Sequence, residues 1–223
     1  MSDAAGPENR RPLKSRSTGW ARALAAAMAR ARITPDELSA ASVAFAALGA
    51  ALFLIAAGRE PVQRAVLLIG AGVCIQLRLL CNLLDGMVAV EHGKGSSAGP
   101  IWNELPDRIA DVLFLTGAGY YAAGAGVAEA TPLGWAAAVL AVMTAYVREL
   151  GRGLGLPADF AGPMAKPHRM AALTVTCVVS ALESQWGWSG QAMTIGLGVI
   201  VLGAVVTVAR RTLTLAKRLK DRS

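Results

Sequence analysis

The sequence is short of charge and of aromatic side chains. Of its 223 residues, 17% are charged and 5% aromatic, whereas 54% are hydrophobic. Soluble domains carry about a quarter charged residues, and here the charges are missing from long runs. A water-soluble domain is therefore excluded, as are disorder of the whole chain and a collagen-like repeat. Cysteine is scarce too: Cys74, Cys81 and Cys177 lie inside apolar runs at no metal-like spacing and read as small buried apolar residues. No internal repeat stands out, and no secretory signal is visible. The first apolar run begins near Leu38 behind a polar, basic leader and is followed by others, so it is expected to stay as an anchor.

What is present is a series of apolar runs, a mean hydropathy of +0.46 and a net charge of +7. The fold expected is all-α: a polytopic integral membrane protein with spans at 38–57, 63–91, 100–123, 131–151, 167–184 and 190–212. Glycine- and proline-bearing segments punctuate the connections. Residues 1–18, with Pro7, Arg10, Arg11, Pro12, Lys14 and Arg16, cannot bury a core and are expected to be disordered. Residues 19–33 read as a basic amphipathic helix on the membrane surface, with Trp20, Leu24, Ala27 and Ala31 on one stripe. Residues 34–213 then form the membrane domain and 214–223 a basic tail.

The basic residues set the topology. All but four of the 22 Lys and Arg fall on the side of the two termini; Arg59 and Arg64 lie opposite, and Arg78 and Arg108 lie within helices. The positive-inside rule places both termini in the cytoplasm of a multi-pass inner-membrane protein. The positive charge is thus explained without nucleic acid, and membrane lipids are the expected surroundings. Trp186 and Trp188 suit an interfacial belt on the outer side.

The second and third spans hold polar groups that lipid does not tolerate: Arg78, Asn82, Asp85, Glu91, Asn103, Glu104, Asp107, Arg108 and Asp111. A charge at a helix centre costs about 2.5–3.5 kcal/mol on insertion scales, so these groups must face one another, a cavity or the interface. Structural pairs such as Arg108 with Asp111 are one reading and a functional site the other. Spacing favours the site. Asn82, Asp85, Gly86 and Ala89 share one helical stripe; Asn103, Asp107 and Asp111 share another on the next helix. Two facing stripes of carboxylate and carboxamide oxygens make a site suited to Mg2+ or Mn2+. Gly86 and Ala89 leave no bulk above the carboxylates, so a large ligand could approach, although small residues also serve tight helix packing.

The run Asn82-x2-Asp85-Gly86-x2-Ala89-Val90-x8-Gly99-x3-Asn103-x3-Asp107 resembles, at every interval, the signature Asp-x2-Asp-Gly-x2-Ala-Arg-x8-Gly-x3-Asp-x3-Asp of the CDP-alcohol phosphotransferases. Taking Asp107 and Asp111 as the last two acids would put Asn103 at the glycine position, whereas the first alignment lands on Gly99. Asn82 and Asn103 replace two aspartates and Val90 the arginine, so the four core positions carry −2 instead of −4. The segment from Gly99 to Asp111 looks like that of a divergent bacterial branch with the same asparagines. Thr34-Pro35-Asp36-Glu37-Leu38-Ser39 looks like the start of the family's first span. Tyr146-Val147-Arg148 and Lys166-Pro167-His168-Arg169 resemble segments near the acceptor pocket of phosphatidylinositol-phosphate synthase relatives.

The resemblance implies transfer of a substituted phosphate from a CDP-alcohol, above all CDP-diacylglycerol, to an alcohol acceptor, with release of CMP. It implies Mg2+ or Mn2+ on Asn82, Asp85, Asn103 and Asp107, with Glu104 and Asp111 as the nearby acids that could restore charge. Asp107 becomes the candidate general base. Thr34, Asp85, Gly86, Ala89 and Gly99 are the candidates for the nucleotide. Arg148, Lys166 and Arg169 are candidates for a phosphate on donor or acceptor, or are ordinary cytoplasmic cations beside anionic lipid. The acceptor is not identified by the sequence, a phosphorylated alcohol being one possibility, and a homodimer is expected. The rivals are a small transporter, which would show paired halves with broken helices, and an inactive relative that binds lipid or a partner.

Overall fold

The computed structural model describes residues 18–91 and 97–222. The leader 1–17, the connection 92–96 with His92 and Lys94, and Ser223 lie outside the described residues. Among the described residues there are seven α-helices, one 3-10 helix and no strand. The helices are α1 (Gly19–Arg30), α2 (Pro35–Ala56), α3 (Pro61–Glu91), α4 (Gly99–Gly124), α5 (Ala130–Gly153), α6 (Lys166–Leu182) and α7 (Gln191–Lys220), with the 3-10 helix Glu183–Trp186 before α7. Four of them, α2, α3, α5 and α7, are long and apolar enough to cross a membrane. α4 is long enough, but carries Glu104, Asp107, Arg108 and Asp111 in its first half, and α6 has only 17 residues.

Local chemistry explains the starts and stops. At α2, Thr34 accepts a hydrogen bond from the Glu37 backbone N–H while the Glu37 carboxylate accepts from that of Thr34, a capping box, with Pro35 in the first turn. α4 and α6 also carry proline in the first turn, where a missing N–H costs nothing. Gly190, at φ +88°, caps the start of α7, a left-handed position that suits glycine.

The long helices close into a ring. Neighbours run α2, α4, α5, α7, α6, α3 and back to α2, with α4 also touching α7 and α3 across the middle. Phe53, Leu68, Ile75, Phe114, Met170, Leu173, Met193 and Ile200 fill the interior. α4 and α5 approach closely at Gly119 and Gly134: a Cβ on Gly119 would lie 2.8 Å from the Ala130 carbonyl oxygen and 2.9 Å from the Gly134 Cα. Large apolar side chains such as Leu48, Val62, Val66, Val73, Leu202 and Leu213 remain exposed on the outside.

Two differences from the sequence expectation stand out. α1 turns Ala21 and Ala25 inward against Leu83, Leu84, Met87 and Val88 of α3, with Leu24 and Met28 beside them, and leaves Trp20 exposed. The inward stripe is thus rotated from Trp20 and Ala27, because small alanines let α1 approach α3 closely. α7 continues as helix to Lys220, past the boundary drawn at 213. That segment has no glycine or proline, and its end is tied down: the Arg222 guanidinium donates to the carbonyls of Leu154 and Gly155, 3.3 and 2.9 Å away.

α7 grips the α5–α6 connection at two further points. Arg211 donates to the carbonyls of Ala161 (2.8 Å) and Thr144 (2.6 Å), and the Met164 N–H donates to Thr207 Oγ1 at 2.9 Å. At the opposite end of the bundle, the buried Glu183 carboxylate accepts from Tyr121 Oη (3.1 Å) and from the backbone N–H groups of Gly190 and Ala192 (2.7 and 3.0 Å). That satisfied acid locks the turn before α7.

Candidate active site

Four helix ends meet at the end of the bundle where α2 begins: the start of α2, the second half of α3, the first half of α4 and the start of α6. Their charged residues form one buried network. Asp107 lies at its centre. Its Oδ1 accepts from Arg78 Nη2 at 2.9 Å and Asn82 Nδ2 at 3.1 Å, and its Oδ2 accepts from Lys166 Nζ, with Arg108 Nη2 at 3.5 Å. Lys166 Nζ also donates to Asn82 Oδ1 at 2.6 Å. One turn further along α4, Asp111 Oδ2 accepts from Arg169 Nη2 at 2.6 Å, and its Oδ1 is 3.9 Å from Arg78. Arg78, Arg169 and Asp111 are essentially closed to solvent. Charges taken so far out of water persist only when paired.

Asp85 is less fully paired than Asp107. Its Oδ2 accepts from Ser39 Oγ of α2 at 2.9 Å, while its Oδ1 is buried and has no hydrogen-bond partner. Asp107 and Lys166 are its charged neighbours.

The structure brings Asn82, Asp85, Asp107, Asp111, Lys166 and Arg169 together. Asn103, expected on the same stripe as Asp107, is exposed in the second turn of α4 and lies outside this network. Glu104 points instead toward α5, where its carboxylate accepts from Arg148 at 2.5 Å and lies 3.4 Å from Arg108. The Arg108–Asp111 pairing does not form. Asp111 faces inward toward Arg169 while Arg108 reaches Glu104 and Asp107. Arg148, Lys166 and Arg169 do not stand as three open cations: each is held by a carboxylate, Arg148 by Glu104 and Glu149. Gly86 and Ala89 are half-buried on α3 beside Asp85, Gly99 opens α4, and the Thr34 hydroxyl caps α2.

Three participants had no assigned role in the sequence reading. Arg78 was visible as a charge inside an apolar run, the usual signature of a paired intramembrane group, but its partner was not. Ser39 carries no charge to betray it. Arg211 looked like one more basic residue near the C-terminus, yet it is buried and lines, with Arg148, Arg218 and Asp159, a shallow cleft between α5, α7 and the α5–α6 connection.

Among the described residues no three His, Cys, Asp or Glu side chains group as a metal site. The donor set still suits one hard cation. The partnerless, buried Asp85 Oδ1 is the kind of oxygen a divalent ion would complete, with Asp107 beside it.

No family model matches the chain. Curated relatives do. A phosphatidylinositol phosphate synthase of Mycobacteroides abscessus is 28% identical over 199 residues, covering 84% of this chain and 80% of the relative. A protein of the same name from Cutibacterium acnes is 28% identical over 200 residues, covering 86% and 92%. The fold is similar to that of Mycobacterium tuberculosis phosphatidylinositol phosphate synthase solved with manganese and citrate, with a TM-score of 0.73 at 21% identity over 87% of this chain and 88% of the other. The same protein with CDP-DAG bound gives a TM-score of 0.69, also at 21% identity, over 87% and 92%.

Proposed function

We infer the chemistry from the chain's membership of the CDP-alcohol phosphatidyltransferase family: it is a multi-pass membrane enzyme that transfers a phosphatidyl group from CDP-diacylglycerol to an alcohol and releases CMP. The observation that carries this reading is that the signature intervals, followed on the folded chain, deliver Asn82, Asp85 and Asp107 to one buried polar cluster.

In the reaction the acceptor oxygen forms a bond to the phosphorus that bears diacylglycerol, the bond from that phosphorus to the CMP oxygen breaks, and CMP departs with the electron pair. Asp107 takes the acceptor's hydroxyl proton, its carboxylate oriented by Arg78 and Asn82. Lys166 and Arg108 lie beside the developing negative charge, and their donors are already fixed in a partly dry site. A bound Mg2+ or Mn2+, held by Asp85 with Asp107 beside it, would neutralise the pyrophosphate and stabilise the departing CMP. Gly86 and Ala89 keep the α3 surface low where the cytidine would lie, with Gly99 and Thr34 at its edges.

Six spans with both termini cytoplasmic are part of the same proposal. α3, with 31 residues, is about 46 Å long against a hydrocarbon core of about 30 Å. Its last turns, with Asp85, therefore emerge at the cytoplasmic interface, where a water-soluble acceptor meets a lipid donor. α4 crosses with its charges turned into the protein, and α6 is extended toward the outer face by the 3-10 helix. The similarity to phosphatidylinositol phosphate synthases supports an acceptor that carries a phosphate.

The test is purified protein with CDP-diacylglycerol, Mg2+ or Mn2+ and a panel of acceptors, following CMP. Inositol phosphate and glycerol phosphate should outperform inositol and serine. Absence of CMP with every acceptor would overturn the reading.

A further inference from the structure

We propose that the Lys166 ammonium is a cation built into the chain in place of one of two divalent ions, so that the site takes a single Mg2+ or Mn2+ per chain. This rests on the phosphatidyl-transfer reading and specifies its metal complement.

The ammonium bridges the first and last signature positions, donating to Asn82 Oδ1 at 2.6 Å and to Asp107 Oδ2. It comes from α6, 59 residues beyond Asp107, and sits between two oxygens that a metal would otherwise claim. Asn82 is the matching partner. Its Nδ2 donates to Asp107 Oδ1 at 3.1 Å while its Oδ1 accepts from Lys166. A carboxylate at position 82 could not make the first bond, and would set two anions against each other unless a metal lay between them. The asparagine and the lysine therefore belong to one arrangement: an ammonium beside an amide carries the same net charge as a divalent ion beside a carboxylate.

Charge leads to the same count. Four signature acids would carry −4, enough to neutralise two divalent ions. Here the four positions carry −2, and the ammonium reduces that by one. Arg78, on the other oxygen of Asp107, removes the rest. One divalent ion can then be balanced by the donor pyrophosphate; two would leave uncompensated positive charge in a partly buried site. Two buried carboxylate oxygens lack a hydrogen bond, Asp85 Oδ1 and Asp111 Oδ1; the second faces Arg78 at 3.9 Å, which leaves Asp85 Oδ1 for a metal, whereas both oxygens of Asp107 and the Asn82 carbonyl oxygen are engaged. An ammonium also suits the work of the missing ion, since it is a point charge that donates to phosphate oxygens.

Mn2+ titration of the purified protein, read by electron paramagnetic resonance and by bound metal per chain, tests this without relying on turnover. Wild type should bind one Mn2+ with an uncoupled six-line spectrum. The double variant Asn82→Asp with Lys166→Met should bind two and show exchange coupling. Lys166→Met alone should keep one ion with a Kd at least about tenfold lower, because a like charge has been removed. Two ions in wild type overturn the proposal, as do none, or a folded double variant that still binds one. If the double variant does not fold, the wild-type count and the single variant decide. CMP formation by the same preparations separates the two readings: turnover with two ions per chain sinks only this inference, and one ion without turnover sinks only the enzymatic reading.

Discussion

At the scale of single residues, Asp107 and Asp111 look alike in the sequence and differ in the structure. Asp107 lies at the centre of the network beside the partly exposed Lys166, while Asp111 is sealed between Arg169 and Arg78. Asp107→Asn should lower the rate of CMP release per folded protein by about 10²–10⁴-fold, the range for loss of a general base, and should also lower the unfolding temperature in detergent, because Arg78 and Lys166 lose their nearest carboxylate. Asp85→Asn should remove metal-supported turnover likewise, and wild-type rates in either variant would refute the roles given to both. Asp111→Asn should act on stability without removing a group that meets the substrate, because it leaves the buried Arg169 without its carboxylate. The cost of breaking a buried pair is about 3–5 kcal/mol, readable as a lowered midpoint of thermal unfolding. The carboxylates and their stripes were legible in the sequence because spacing along one helix fixes direction. The pairing of Lys166 with Asn82 was not, since it joins residues 84 apart and depends on how α6 docks against α3. Nor was the exposure of Asn103, which follows from its place near the start of α4.

At the scale of elements, the helices were readable to within about three residues except at the end of α7, which runs on to Lys220. Apolar runs, Thr34-Pro35 and the glycine-rich breaks mark their ends by local chemistry. Which helices touch was not readable, and the small residues hold that information. Gly119→Val should force α4 away from α5, since the added atoms meet backbone at 2.8–2.9 Å. Such overpacking costs about 1–3 kcal/mol and should lower the unfolding temperature, whereas Gly19→Ala, where no atom lies within 4 Å of the added Cβ, should not. Loss of activity in Gly119→Val beyond its loss of folded protein would show that α4 carries Asp107 and Asp111 out of register with α3.

At the scale of the whole molecule, basic residues outline the topology while the ring of helices decides where they gather. A phosphatase reporter active only in the periplasm should be silent when fused after Arg222 and active when inserted at Gly126; the opposite pattern would invert the placement of the site. The distribution of basic residues along the sequence is what points to this orientation. The sequence could not reveal that much of the basic C-terminal segment is structural, because a cation's carbonyl partners lie in another part of the chain. Through Thr207, Arg211 and Arg222, α7 holds the segment from Leu154 to Met164 at both of its ends. That segment leads directly into Lys166, so the final helix acts as a clasp on the loop that delivers the ammonium. Amide hydrogen exchange should follow this division: Arg211→Ala should speed exchange across 154–164 while leaving the Tyr121–Glu183 end as slow as before, so that the two faces of one enzyme breathe independently.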